Sequence, residues 1–144
     1  MKQLQWKDFG ITSGRLLPHK STYLYIIFIK TAMQKSTISI DVTLDPDKIP
    51  QQISWKASNS SAADPQQSKA MLLAFWDAQE RSALRIDLWT KDMMVDEMGD
   101  FFHQTLVTMA DTYRRATGQT ELVEAIKLFA ADFYKRSREL LEKS

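Results

Sequence analysis

The stretch from Leu84 to Tyr113 limits the possible folds most, because a strand pattern changes there within a few residues into a long helix pattern. From Leu84 to Trp89 successive side chains alternate between two faces, as in a strand with one buried face. Asp92 is the predicted N-cap of the helix that follows. The alternation places three side chains in the predicted core, namely Leu84, Ile86 and Leu88.

The predicted helix has an apolar stripe and a polar flank. The stripe repeats at three- and four-residue spacing, which predicts a core-facing side; it consists of Val95, Met98, Phe102, Leu106, Met109 and Tyr113. The flank brings Asp96, Asp100 and His103 within about one helix turn. Such a group can bind a cation or transfer a proton. A solvated helix flank is the favoured interpretation, because no second set of ligands with zinc-type spacing occurs in the chain.

The composition excludes several kinds of site. The chain has 144 residues, which fits one domain with a sizeable core, and it contains no cysteine. This excludes a disulfide framework, a thiolate nucleophile and a cysteine-based zinc site, and it fits a reducing compartment such as the cytoplasm. A dinucleotide-binding GxGxxG motif, a P-loop motif and a GxSxG motif are all missing. The sequence therefore predicts no cofactor and no catalytic residue.

The formal net charge of +1 is unevenly distributed along the chain. Residues 1–34 hold five of the 19 basic residues and only one of the 18 acidic residues, which leaves 14 basic and 17 acidic residues in the remainder. The remainder is thus mildly acidic and has no clustered basic face. Because phosphate binding needs such a face, nucleic acid is excluded as the main partner.

Residues 1–32 differ in pattern from the rest of the chain. Their apolar run, Tyr23–Ile29, has seven residues and is far shorter than the ~20 that a membrane-spanning helix needs. The long region before the run argues against a secretory signal, as does Lys30, which follows it before any small-x-small cleavage pattern. Met33 is a second candidate for the start, alongside Met1. We predict a basic leader over 1–32, disordered or not translated, and a single α+β domain over 33–144.

Three further segments precede Leu84. Ser36–Leu44 alternates cleanly and is rich in β-branched residues, which predicts a strand. Pro50 marks the entry to a second predicted strand, in which Ile53, Trp55 and Ala57 lie on one face. The two strands are expected to form an antiparallel hairpin. Pro65–Ala78 is predicted to be a short helix that is apolar nearly all round and therefore well covered. Trp76 and Trp89 can line a hydrophobic cleft, but large aromatic residues in a small domain more often lie in the core.

The predicted order of elements is β-β-α-β-α-α, since Gly118 ends the long helix and a last helix runs from Glu121 to about Leu141. This order predicts a small three-stranded antiparallel sheet, with the first strand in the middle, covered on one face by helices. The other face carries Arg85, Asp87 and Trp89. An exposed Trp89 is a typical anchor for a protein partner, whereas the two charged residues are expected to form cross-strand ion pairs of small energetic value.

Four stretches resemble the gliding motility-associated protein family GldC. They are KSTISIDVTLD (Lys35–Asp45), IPQQISWKAS (Ile49–Ser58), KAMLLAFWDAQ (Lys69–Gln79) and the run from Leu84 to Thr117. The resemblance covers the chain from Met33 to the C-terminus. It implies a small, soluble, cytoplasmic accessory of the gliding apparatus, with no established enzymatic activity, cofactor or catalytic residue to carry over.

Two functions from different classes follow. The first is a non-enzymatic interaction module that docks an unidentified protein component of the motility machinery, with its candidate residues on the open sheet face and the helix flank: Arg85, Asp87, Trp89, Asp96, Asp100 and His103. The second is a metal-binding or small-molecule-binding protein, or a hydrolase, with a site formed by the three flank residues. The sequence leaves the oligomeric state open.

Overall fold

The computed structural model describes residues 35–143. The elements in this range are β1 (Ile38–Leu44), β2 (Pro50–Ala57), β3 (Gln66–Ser68), β4 (Ala70–Asp77), β5 (Ser82–Trp89), α1 (Val95–Thr117) and α2 (Thr120–Leu141). The predicted α+β class is confirmed, but the strands form two sheets where one was predicted. The predicted leader, the apolar run within it and the boundary at Met33 lie outside the described residues.

The chain divides into two compact units. The described part of the first comprises residues 35–43 and Gln52–Ser68, and that of the second comprises Leu44–Gln51 and residues 69–143. The first unit holds a three-stranded sheet in the order β1-β2-β3. The prediction that the first strand lies in the middle is therefore wrong. The reason is that Gln66–Ser68, expected to begin a helix, instead pairs with the free edge of β2.

A small apolar core supports the first unit. Its buried apolar residues are Ile53, Ala57 and Ala62. The Trp55 indole N–H donates a hydrogen bond to Ser68 Oγ at 3.0 Å, which ties β2 to β3 beyond the backbone pairing. At the other edge of β2, the Ser58 backbone N–H donates to the Thr37 carbonyl at 2.9 Å. This bond is consistent with the predicted hairpin of the first two strands.

The second unit contains an antiparallel hairpin, β4–β5, whose register runs from Ala70 opposite Trp89 to Asp77 opposite Ser82. The Asp77 carboxylate closes the turn by accepting the backbone N–H groups of Gln79 and Glu80 at 2.8 and 3.0 Å. These hydrogen bonds hold the pKa of Asp77 below its ordinary value. The helix predicted over Pro65–Ala78 is therefore wrong. Its Ala, Met and Leu residues favour a helix, but pairing with the adjacent β5 outweighs that local preference.

Two antiparallel helices complete the second unit. The first residue of α1 is Val95, and its N-cap is Met94 instead of the predicted Asp92. The Glu97 carboxylate accepts the Met94 backbone N–H at 2.9 Å and so satisfies a free donor at the helix start. The predicted stop is confirmed: Gly118 adopts φ 72°, and its N–H donates to the Arg114 carbonyl at 2.9 Å. Only two residues separate the helices, which makes them a tight hairpin.

The helical hairpin packs through small residues. Its buried positions are Ala110, Val123 and Ala130. The predicted apolar stripe of α1 is not a continuous core, because Val95 and Met109 are more than half exposed. The same correction applies to β5, where Leu84 is 59% and Ile86 48% exposed. A helix stripe or a sheet face is buried only where a second layer covers it, and within the described residues these surfaces have no such cover.

Candidate functional site

The β4–β5 hairpin presents two faces of different chemistry. Residues directly opposite each other on paired antiparallel strands share a face, so the register assigns every side chain. One face ends at the turn in Asp77 and Ser82; its apolar side chains, here called the apolar hairpin face, are Met71, Leu73, Phe75, Leu84, Ile86 and Leu88. The other, here called the mixed hairpin face, consists of Ala70, Leu72, Ala74, Trp76, Ala83, Arg85, Asp87 and Trp89.

The mixed hairpin face contains three of the candidate residues from the sequence. Trp89 is 57% exposed at the base of the hairpin, and Trp76 is 67% exposed near its tip. Trp76 is therefore not a core residue. Between them, Arg85 Nη2 lies 2.7 Å from Asp87 Oδ2. Both charged side chains are partly exposed, so this pair stabilises the fold little, but it holds the guanidinium in a fixed place on the surface.

The base of the hairpin is fixed to the start of α1 by a cluster that the sequence analysis did not find. Lys69 Nζ lies 2.9 Å from both carboxylate oxygens of Glu97 and 3.6 Å from Asp92 Oδ2. The backbone N–H of Thr90 donates to the Lys69 carbonyl at 2.7 Å. The Thr90 hydroxyl donates to Asp92 Oδ1 at 2.6 Å. Lys69 and Glu97 are 28 residues apart, so no local spacing in the sequence relates them.

The charges in this cluster shift one another's titration. The hydrogen bond from the Met94 N–H, followed by that from Lys69, lowers the pKa of Glu97. The hydrogen bond to Glu97 raises the pKa of Lys69. The Thr90 hydroxyl lowers the pKa of Asp92. All three groups therefore stay charged at neutral pH. The cluster of Lys69, Thr90, Asp92 and Glu97 connects the hairpin to the start of α1 and is here called the hinge clamp.

The predicted polar flank of α1 contacts α2. Asp100 Oδ1 lies 3.0 Å from Arg138 Nη2, and the His103 ring stacks on the Tyr134 ring with centroids 4.6 Å apart. Arg138 also donates to the Tyr134 hydroxyl, and this bond, together with the Asp100 charge, raises the pKa of the guanidinium. Asp96 is exposed in the first turn.

Two of the three flank residues, Asp100 and His103, are thus part of the packing between the helices. No group of three His, Asp or Glu side chains within residues 35–143 is placed to hold a metal ion. No observation favours the metal-binding or hydrolase alternative.

An open groove runs between the two helices near their connecting turn. It has a volume of about 830 Å³ and an almost entirely apolar lining. Its large apolar side chains are Leu106, Met109, Tyr113, Leu122, Ile126 and Phe129. Here called the helical groove, it includes the C-terminal half of the predicted α1 stripe. The sequence analysis identified that stripe but assigned it to the core.

The comparisons with known proteins bear on parts of both units. A family model described as gliding motility-associated protein GldC-like matches residues 50–139, from the first residue of β2 into α2. The chain belongs to the GldC-like family. This confirms the resemblance found in the sequence, and it associates the protein with gliding motility. Neither a search of curated proteins nor a search of solved structures found a match.

The GldC-like chain has two long helices, α1 and α2. Within the part of the chain that the structure describes, neither helix has the length and apolar content needed to cross a membrane. The β4–β5 hairpin, α1 and the part of α2 up to residue 139 fall within the family match.

Proposed function

We propose that this GldC-like protein is a non-enzymatic, cytoplasmic accessory of the gliding machinery that docks one of its protein components through the mixed hairpin face. The exposure of Trp89 and Trp76 on either side of the Arg85–Asp87 pair carries the proposal. Tryptophan and arginine are the residue types most enriched among energetically dominant positions of protein interfaces. An arginine held by its own ion pair also loses less side-chain entropy on binding.

The geometry of the mixed hairpin face suggests the kind of partner. Trp76 lies six residues along β4 from Ala70, which is opposite Trp89, so the two indoles are about 20 Å apart. A partner that engages both presents apolar groups at two points with a polar segment between them. A helix of about 13 residues or an extended segment of about six spans that distance. The flank residues Asp96, Asp100 and His103 are left out of this surface, because two of them contact α2.

Site-directed cross-linking in gliding cells tests the proposal. A photoreactive amino acid in place of Ala83, which is exposed opposite Trp76 on the same face, is expected to capture a component of the motility machinery, and Trp89→Ala is expected to reduce the yield at least tenfold, because truncation of an interface anchor typically weakens binding by that much or more. Leu128→Ala is the matched control, since Leu128 is 71% exposed and lies on α2 outside this surface. Equal yields from the Trp89 variant and the control would refute docking at this face.

A motility assay connects the surface with the process. A strain that lacks the protein is complemented with wild type, Trp89→Ala or Leu128→Ala at equal protein levels. We expect spreading on a surface to be restored by wild type and by the Leu128 variant, and not by the Trp89 variant. Full restoration by Trp89→Ala would show that gliding does not depend on this face.

A further inference from the structure

We infer that the protein forms a two-fold dimer in which the apolar hairpin face of each copy occupies the helical groove of the other. Two apolar surfaces of the second unit carry this inference. On the hairpin, Phe75 is 55% exposed and its neighbours across the strands, Leu84 and Ile86, are about as exposed. On the helices, the groove exposes Met109, Leu122 and Phe129 to a similar degree.

The two surfaces complement each other in kind. A sheet face of apolar side chains is normally covered by helices, and an apolar seam between two helices is normally covered by a sheet or a further helix. Each surface is therefore the layer that the other lacks. One chain carries both, yet the hairpin does not cover its own groove, since both surfaces remain exposed in the same chain.

The hinge clamp lies at the opposite end of α1 from the helical groove. Lys69 and Thr90 fix the base of the hairpin to the N-terminal end of α1 through Glu97 and Asp92. The groove lies at the other end of α1, where Met109 is 14 residues beyond Val95, or about 21 Å along the helix axis. A second copy can supply its groove without breaking the clamp, and two-fold symmetry makes the exchange reciprocal.

The exposed apolar area distinguishes a reciprocal exchange from pairing of two hairpins or of two grooves. The two surfaces together have twelve large apolar side chains. Six of them are about half exposed, at ~100 Å² each, and the other six expose about half that area each. The exposed area of both surfaces is therefore roughly 900 Å² per copy. A stable interface of standard size buries about 800 Å² per partner. Exchange of both hairpins reaches this value, whereas pairing of two hairpins, or of two grooves, uses half of the area and falls short of it.

The charge of the chain permits association of two copies. The formal net charge is +1, so two copies repel each other little. The groove lining consists of apolar side chains with a few Thr, Ala and Tyr residues, and the six apolar hairpin side chains are uncharged. The charged residue on the same hairpin face, Asp77, lies at the turn, where its carboxylate accepts the Gln79 and Glu80 N–H groups. Contact through the apolar side chains therefore need not bury an unpaired charge. The mixed hairpin face points the other way and stays accessible in the dimer.

Measurement of the molar mass of the full chain in solution tests the dimer. At tens of micromolar, sedimentation equilibrium is expected to give about 33 kDa, twice the chain mass of 16.6 kDa. Phe75→Lys and Phe129→Lys each place a charge in both copies of the contact, and each is expected to raise the dissociation constant about 30-fold or more. Leu128→Lys is the control, because Leu128 lies outside both surfaces, and it should leave the mass at the wild-type value.

Mixing of the two variants separates exchange from other dimers. The Phe75 variant keeps an intact groove and the Phe129 variant keeps an intact hairpin, so an equimolar mixture regains one of the two contacts. We expect the mixture to associate with a lower dissociation constant than either variant alone, though with a higher one than wild type, because only half of the wild-type contact area is restored. A monomeric wild type overturns the inference, as it would if another segment of the chain covered these surfaces. It is also overturned if only one variant dissociates, because that shows self-pairing of hairpins or of grooves.

A measurement on the unmodified protein guards against variants that fail to fold. Amide hydrogen exchange of wild type is compared above and below the dissociation constant, and the β4–β5 amides and those of α1 near Met109 should exchange at least tenfold faster in the dilute sample. Exchange that is independent of concentration in both segments overturns the inference whatever the variants do. Trp89→Ala should remain dimeric, which separates this surface from the docking face.

Discussion

The turn between the two helices depends on a single backbone conformation, and Gly118→Ala tests it. Gly118 has φ 72°, in the left-handed region, and its N–H caps α1 through the Arg114 carbonyl. An alanine Cβ built at this position meets no atom within 4 Å. The substitution therefore creates no clash, and its effect reports the backbone conformation alone.

The expected magnitude follows from two opposing contributions. Holding a residue with a Cβ in the left-handed region costs about 1–2 kcal/mol. Replacing glycine also removes about 0.4–1 kcal/mol of conformational entropy from the unfolded chain, which favours the variant. The net loss is about 1 kcal/mol of unfolding free energy. For a domain of this size that corresponds to a melting temperature lower by roughly 4 °C.

Urea denaturation followed by circular dichroism measures the loss, with all proteins at one concentration so that association contributes equally. Gly118→Asn is the matched control, because asparagine tolerates the left-handed region, and it should lose only a few tenths of a kcal/mol. Gly99→Ala is compared with it as a glycine substitution inside α1. Alanine favours the helix at that position, but its Cβ would lie 2.7 Å from the Ser137 hydroxyl, which would have to move. An alanine variant at 118 as stable as wild type, or an asparagine variant as unstable as the alanine one, would refute the reasoning.

Three further predictions concern the helices and the hinge clamp. Ala130→Leu should lower the unfolding free energy by about 1–3 kcal/mol in a urea titration, because Ala130 is fully buried, whereas Ala131→Leu on the exposed side should change it little. Glu97 accepts the capping hydrogen bond and pairs with Lys69, and both hold its pKa below the ordinary 4.5. The contribution of Glu97 to stability is therefore complete above pH 4.5 and is lost as the pH falls through the lowered pKa. Glu97→Gln should thus flatten the acid limb of the stability–pH curve; an unchanged limb would contradict the clamp. A double-mutant cycle of Asp100→Asn and Arg138→Gln should give a coupling that shrinks with added salt, since the 3.0 Å pair is partly exposed, and a salt-independent coupling would rule out a screened ion pair.

Local patterns in the sequence predicted the elements whose signals are local. Alternation located β1 and β5 within about two residues and the C-terminal part of β2, and Gly118 correctly marked the end of α1. Pairing between distant segments was not predictable in the same way. Ala70–Asp77 has the composition of a helix, and it becomes a strand because β5 lies next to it after a tight turn.

The candidate surface was predicted only in part, again because periodicity is a local signal. Periodicity correctly placed Arg85, Asp87 and Trp89 on one face of β5 and grouped the apolar stripe of α1. It shows which side chains share a face and does not show what covers that face. The apolar side chains of β5 and α1 were therefore assigned to a core, although Leu84 and Met109 are exposed in the single chain. The ion pair between Lys69 and Glu97 has no local signal in the sequence, because the two residues are far apart along the chain.

The two proposed contacts use opposite faces of one hairpin, and this has a consequence for how docking would work. In an exchanged dimer the apolar hairpin faces are buried and the two mixed hairpin faces point outward, related by the two-fold axis. A partner present in several copies can then bind both at once, and its apparent affinity rises through effective concentration without any new contact. Phe75→Lys would weaken docking to such an assembly while leaving the affinity for one isolated partner copy unchanged, whereas Trp89→Ala would weaken both.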